Sequence, residues 1–174
     1  MFKLPGIEKI LFATDLSENA NLAMDYAMSL AGAYDARITV LHVLEKVPPN
    51  AEMLMATMLG YESVNEFRQK SEEELVEKIK EHIQQFCAEA AGQVAHECRI
   101  AFHEVVVEPG KAAERILHHA GSGEYDVLVM GSHGLGLLHE AFMGGTSRKI
   151  LDGSTIPVLV IPMKIYSPQR HDAR

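Results

Sequence analysis

The sequence predicts an α/β fold: a single three-layer, doubly wound domain with a five-stranded parallel sheet in the order 3-2-1-4-5. Three observations lead there. The chain has 174 residues, a length that suits one domain. Short apolar runs of strand length alternate along it with segments of helical period, in the order βαβαβαβαβ. Strands joined through helices pair in parallel, and right-handed crossovers then place helices on both faces of the sheet.

Each element has a local reason. Lys9-Ile10-Leu11-Phe12-Ala13-Thr14 reads as a first buried strand. The stretch from Asp15 to Asn19 breaks it, and Ser17 is placed to cap a helix. That helix is expected to run to about Ala31, with Ala20, Ala23, Ala27 and Leu30 on one face and Gly32 as its stop. Arg37 to Val43 is the second strand. Glu45 to Tyr61 holds Pro48-Pro49 and the apolar group Met53, Leu54, Met55, Met58 and Leu59. It reads as an apolar turn packed on the core, with a lid or a partner patch as the alternatives. From Val64 through Phe67, Ser71, Leu75, Ile79, Ile83 and Phe86 to Ala90 one helical period continues, which predicts a single long helix with a charged outer face.

Arg99 to Val107 is the third strand, and Pro109-Gly110 turns the chain. Ala113, Ile116, Leu117 and Ala120 mark a short helix, ended by Gly121-Ser122-Gly123. Val127-Leu128-Val129-Met130 is the fourth strand. Thr146 to Asp152 is helical, with Ile150 and Leu151 turned inward. Pro157 to Pro162 is a fifth strand, fenced by prolines that suit a sheet edge. The domain is placed at 1–163, with a polar tail at 164–174.

Composition narrows the function. A formal net charge of −8 argues against nucleic-acid or anionic-membrane binding, which want a basic face. Cys87 and Cys98 lack the paired spacing of a zinc or redox motif and read as idle thiols in a reducing compartment. No signal peptide and no apolar run of membrane-spanning length is present, so the expected location is cytoplasmic. His118, His119 and His139 show no metal-ligand pattern, and His42, within a strand, reads as a satisfied core histidine.

The chemistry concentrates between Asp126 and Ser147. Gly131-Ser132-His133-Gly134 breaks the fourth strand, and Gly144-Gly145-Thr146-Ser147 opens the next helix. Glycines at a strand end allow close backbone approach, and small residues at a helix start present N–H groups to an anion. The two clusters therefore read as two jaws of one phosphate site. It is neither a Walker loop nor a dinucleotide fingerprint: Ala112 follows Gly110-Lys111, and His139 stands where a third glycine is required. In a sheet of order 3-2-1-4-5 the direction changes between strands one and four, and ligands bind there, outside the carboxyl ends of the strands. Thr14-Asp15 and Met130-Gly131 end those two strands and so meet.

G-x-x-G, nine residues, then a glycine at Gly144 resembles the nucleotide-binding signature of the universal stress protein family. The family has Ser or Thr at the next position, where this chain has Gly145; Thr146 and Ser147 follow. The resemblance extends through K-I-L-F-A-T-D-L-S-E, V-L-H-V, P-G-K-A-A-E-R-I and I-P-V-L-V-I-P, nearly the whole domain. It implies an adenine nucleotide alpha hydrolase-like fold. It implies ATP with Mg²⁺, the adenosine near Thr14, Asp15 and Val43. The ribose and phosphates would lie on Met130, Gly131, Ser132, His133, Gly134, Gly144, Gly145, Thr146 and Ser147. It also implies a homodimer through the Pro157–Pro162 edge strand.

Each role has a plainer alternative. Asp15 reads as a ribose or Mg²⁺ ligand, or as a helix-capping carboxylate; Thr146 and Ser147 as phosphate donors or as plain N-caps; His133 as a phosphate contact or as loop filler. Function follows the same division. The first reading is a cytosolic, dimeric regulator of stress response that binds an adenine nucleotide and has room for a further protein partner. The alternatives are a slow ATPase, for which no lysine or arginine lies within Gly131–Ser147, and a nucleotide-free dimer.

Overall fold

The computed structural model of the protein describes residues 5–47, 49, 51–93, 101–133 and 143–162. In chain order the elements are β1 (Lys9–Thr14), α1 (Glu18–Tyr34), β2 (Arg37–Leu44), α2 (Glu52–Met58), α3 (Val64–Arg68) and α4 (Glu72–Gln93). Then come β3 (Ala101–Pro109), α5 (Ala112–Ala120), β4 (Val127–Gly131), α6 (Gly145–Gly153) and β5 (Val158–Ile161). The five strands lie in the order β3-β2-β1-β4-β5 and every pairing is parallel, the doubly wound sheet that the element order predicts.

The inner strands explain their own composition. Covered on both faces, they read as continuous apolar runs rather than alternating ones. Ile10, Leu11 and Phe12 of β1, and Ile38, Val40 and Leu41 of β2, are almost wholly excluded from solvent. Ile10, Phe12, Ile38 and Val40 pack with Met24 of α1 and Ile79 and Ile83 of α4 on one face. Leu11, Leu41, Leu128 and Met130 pack with Ile116 of α5 and Ile150 of α6 on the other. Each such side chain contributes about 1.5–3 kcal/mol by leaving water. At the far end from the carboxyl edge, Asp126 Oδ2 accepts from the amides of Glu8 and Lys9 at 2.8 and 2.9 Å, which fixes the start of β1 beside β4.

Several expectations need correction. Helix α1 passes through Gly32 and stops at Tyr34; Asp35, in the left-handed region at φ 53°, caps it by donating its N–H to Ala31 O. The long helix is two, α3 and α4. Ser71 separates them: Glu74 N donates to its Oγ at 3.2 Å while Ser71 N donates to Glu74 Oε2 at 3.3 Å. This reciprocal capping box starts a new helix without disturbing the apolar period. The Met-rich stretch contains α2, with Met55 and Ala56 buried and Met53 and Leu54 exposed. Leu151 is 43% exposed, not inward beside Ile150, because adjacent residues on a helix point about 100° apart. The expected start of β3 at Arg99 and the tail from 164 lie outside the described residues, and β3 continues to Pro109. No helix among the described residues is long and apolar enough to cross a membrane.

Candidate functional site

At the carboxyl ends of the strands, where β1 and β4 part to opposite crossovers, a cleft of about 450 Å³ opens. Ala13, Thr14 and Asp15 line it from the end of β1, and His42 to Val47 from β2 and the loop beyond. Ala51 and Met55 come from the α2 region and Ala112 and Ile116 from α5. Met130, Gly131, His133 and the segment Gly144–Ser147 complete it.

The two glycine clusters are stitched together beneath the cleft. Gly144 N donates to Ser132 O at 2.9 Å. Ser147 Oγ donates to Ser132 O at 3.0 Å and approaches Gly131 O at 3.2 Å. A Cβ on Gly144 would stand 3.3 Å from Ser132 O and 3.7 Å from His133 Cα, so glycine here serves close packing of one jaw on the other. A Cβ on Gly145 would meet nothing within 4 Å. Gly144 is the N-cap of α6 and supplies no side-chain cap. Among the described residues, the first amides of α6 thus reach the cleft without an intrahelical or capping acceptor, at the positive end of the helix dipole.

The opposite wall is a turn built by its own side chains. Leu16 N donates to Thr14 Oγ1 and Ser17 N to Asp15 Oδ1, both at 3.1 Å. Between them Leu16 sits at φ 65°, a left-handed conformation that costs a β-carbon-bearing residue about 1–3 kcal/mol and concentrates at functional sites. Ser17 Oγ accepts from Ala20 N at 3.2 Å and starts α1. His42 Nδ1 donates to Thr14 O at 2.9 Å; a carbonyl can only accept, so this bond fixes the tautomer. Burial holds the imidazole below its ordinary pKa, against the Thr14 carbonyl and the Asp15 charge, which favour the proton.

Of the residues singled out in sequence, Thr14, Asp15, Val43, Met130, Gly131, His133, Gly144, Gly145, Thr146 and Ser147 line the cleft. Ser132 does not: it is buried, with its Oγ bonded to His133 Nδ1 at 2.9 Å. Gly134 and His139 lie outside the described residues. The hydroxyl of Ser147 is committed to the carbonyls of Gly131 and Ser132. Arg148 and Lys149 are exposed and away from the lining. His42 is both a satisfied buried histidine and part of the wall. Sequence reasoning missed Glu45 and Lys46. Glu45 Oε1 accepts from Ala112 N at 2.8 Å, tying the β2 loop to the start of α5, and Lys46 places a cation at the lining. Their signal was position alone, directly after the second strand at the switch. His119 faces Glu108 at 3.2 Å, and no group of three or more metal-ligating side chains occurs among the described residues.

The profile described as the universal stress protein family matches residues 6–162. This chain belongs to the universal stress protein family. Universal stress protein YxiE of Bacillus subtilis (strain 168) is 30% identical over 154 residues, covering 88% of this chain and 97% of YxiE. Universal stress protein MJ0577 of Methanocaldococcus jannaschii is 26% identical over 157 residues, covering 90% of this chain and 96% of the relative. Its solved structure superposes with a TM-score of 0.66 over 92% of this chain and 99% of that one. A universal stress protein solved in complex with cAMP shares the fold at a TM-score of 0.54 and 15% identity, over 92% of this chain and 100% of its own.

Proposed function

We propose that this universal stress protein binds an adenine nucleotide, ATP with Mg²⁺, in the cleft between β1 and β4, and works as a cytoplasmic, dimeric regulator of stress response. The observation that carries the reading is the start of α6: consecutive amides behind Gly144 with no capping acceptor among the described residues, on a cleft whose lining also holds a group of apolar side chains. A polyphosphate fits the first feature, because such amides and the helix dipole favour negative charge. A flat base fits the second, among Ala13, Val43, Ile116 and Met130. The family resemblance at Gly131–Gly144 and the cAMP bound by a protein of the same fold support an adenine nucleotide.

In this reading Gly145, Thr146 and Ser147 offer backbone N–H groups to the phosphates, and Thr146 adds its hydroxyl. His133 approaches from the other jaw, and Gly134 is assigned to the phosphates by its place in the motif alone. Lys46 offsets phosphate charge at the lining. Asp15 takes a ribose hydroxyl or supplies a carboxylate to Mg²⁺, which binds through one or two carboxylates together with substrate phosphates. The dimer forms through the Pro157–Pro162 edge, where β5 pairs with β4 alone among the described residues. In this reading turnover is slow or absent, since the phosphate jaw from Gly131 to Ser147 carries no lysine or arginine. The test is the mass spectrum of small molecules released from the purified protein. An adenine nucleotide in near-stoichiometric amount is expected. Protein that carries none, and takes up none when offered ATP and Mg²⁺, contradicts the reading.

A further inference from the structure

A second cavity of about 130 Å³ lies on the other side of the Thr14–Leu16 turn, between β1, β2, α1 and α4. Thr14 and Ala20 line both spaces, so one thin wall separates them. Its interior is apolar: Phe12, Met24, Val40 and Ile83 are buried, and Phe86 and Met58 complete the walls. Leu16, the left-handed residue, forms part of the lining, and Asn21 and His82 provide hydrogen-bonding groups.

We infer that this cavity is a binding site for a small single-ring aromatic molecule carrying one polar group. Three features point to that class. An enclosed apolar cavity of about 150 Å³ accepts benzene, and this space of about 130 Å³, apolar within and edged by the exposed Asn21, has room for one ring. Two thioethers, Met24 and Met58, with two phenyl rings, Phe12 and Phe86, favour an aromatic guest through sulfur–π and edge-to-face contacts. Asn21 and His82 give a hydroxyl or amine on that ring a partner, where a pure hydrocarbon would leave them to water. The site is separate from the nucleotide reading and stands or falls without it.

Phenol is the probe, added to the full chain without nucleotide and followed by methyl NMR. Saturable single-site binding is expected, with the largest shifts on the methyls of Met24, Val40, Met58 and Ile83. Ile83→Phe, which fills the cavity from α4, and Met58→Trp, which fills it from the α2 side, are both expected to lose phenol binding while keeping the circular dichroism spectrum. The inference is overturned if phenol causes no saturable shift at millimolar concentration. It is equally overturned if the shifts centre on residues outside the cavity, or if a folded filling variant binds phenol like the parent.

Discussion

Two adjacent glycines with different jobs show how the site is made. Gly144 is needed for contact: its absent Cβ lets Ser132 O approach, and its own N–H completes that link. Gly144→Val should therefore force the jaws apart and lower stability by about 1–3 kcal/mol, the usual range for overpacking. Urea unfolding reads this directly. Gly145→Ser should unfold at the same urea concentration as the parent, because its Cβ meets nothing within 4 Å. Gly145 departs from the family pattern at a place where a side chain fits. His42 makes a second residue-scale prediction. Its folded pKa lies below the ordinary 6.5, so the unfolded chain takes up a proton that the folded chain resists. This contribution is fully present above 6.5 and is lost as pH falls from 6.5 towards the lower folded value. In stability measured against pH, His42→Gln should lose that part of the acid slope and keep the part due to carboxylates.

Elements are set by their ends as much as by their faces. Ser63 and Ser71 each accept from the amide of a glutamate three residues on, and the glutamates reach back to the amides of Glu62 and Ser71. Ser71→Ala should cost about 0.5–2 kcal/mol, the value of a lost N-cap, in thermal unfolding. The five strands and their order were legible in the sequence, because strands buried on both faces must be apolar runs and crossovers have one hand. The α3–α4 break was not legible from periodicity, since Phe67, Ser71 and Leu75 keep a helical spacing across it. Its signal was the pair of S-x-x-E patterns at Ser63–Glu66 and Ser71–Glu74. Gly32 misled for a related reason: glycine permits a helix to end, but Asp35 is where the backbone turns left-handed.

On the scale of the whole molecule, topology gathers residues that no motif announces. The glycine spacing pointed to Gly131 and Gly144, and the switch between β1 and β4 brought Thr14 and Asp15 to them. Glu45, Lys46 and Ala51 line the cleft after β2 with nothing in their residue types to mark it, whereas Met55 belongs to the Met-rich stretch for which a lid is one alternative. The β5 edge carries the assembly prediction. Val158, Leu159 and Val160 are partly exposed on a strand with one partner among the described residues. Light scattering at micromolar concentration should give a dimer mass. Val160→Lys, a charge of the kind that blunts edge pairing, should give a monomer mass with an unchanged circular dichroism spectrum. A monomeric parent would contradict the edge assignment.

The central claim is that the start of α6 receives the phosphates of a nucleotide. The most direct measurement is the ATP-induced rise in melting temperature of the parent and of Gly145→Asp. A ligand that binds the folded state alone stabilises it by mass action, so the parent should shift upward with ATP and Mg²⁺. Aspartate at position 145 has room for its Cβ and sits at the positive end of a helix, where a carboxylate is favourable. Without ligand, the variant should melt at or slightly above the parent temperature. With ligand, its charge stands beside the phosphates, a like-charge contact of about 1–4 kcal/mol at short range, or roughly tenfold to a thousandfold in affinity. The account predicts a variant that is folded and has lost most of the ATP shift. A folded variant that shifts with ATP as the parent does would place the phosphates elsewhere and contradict the account.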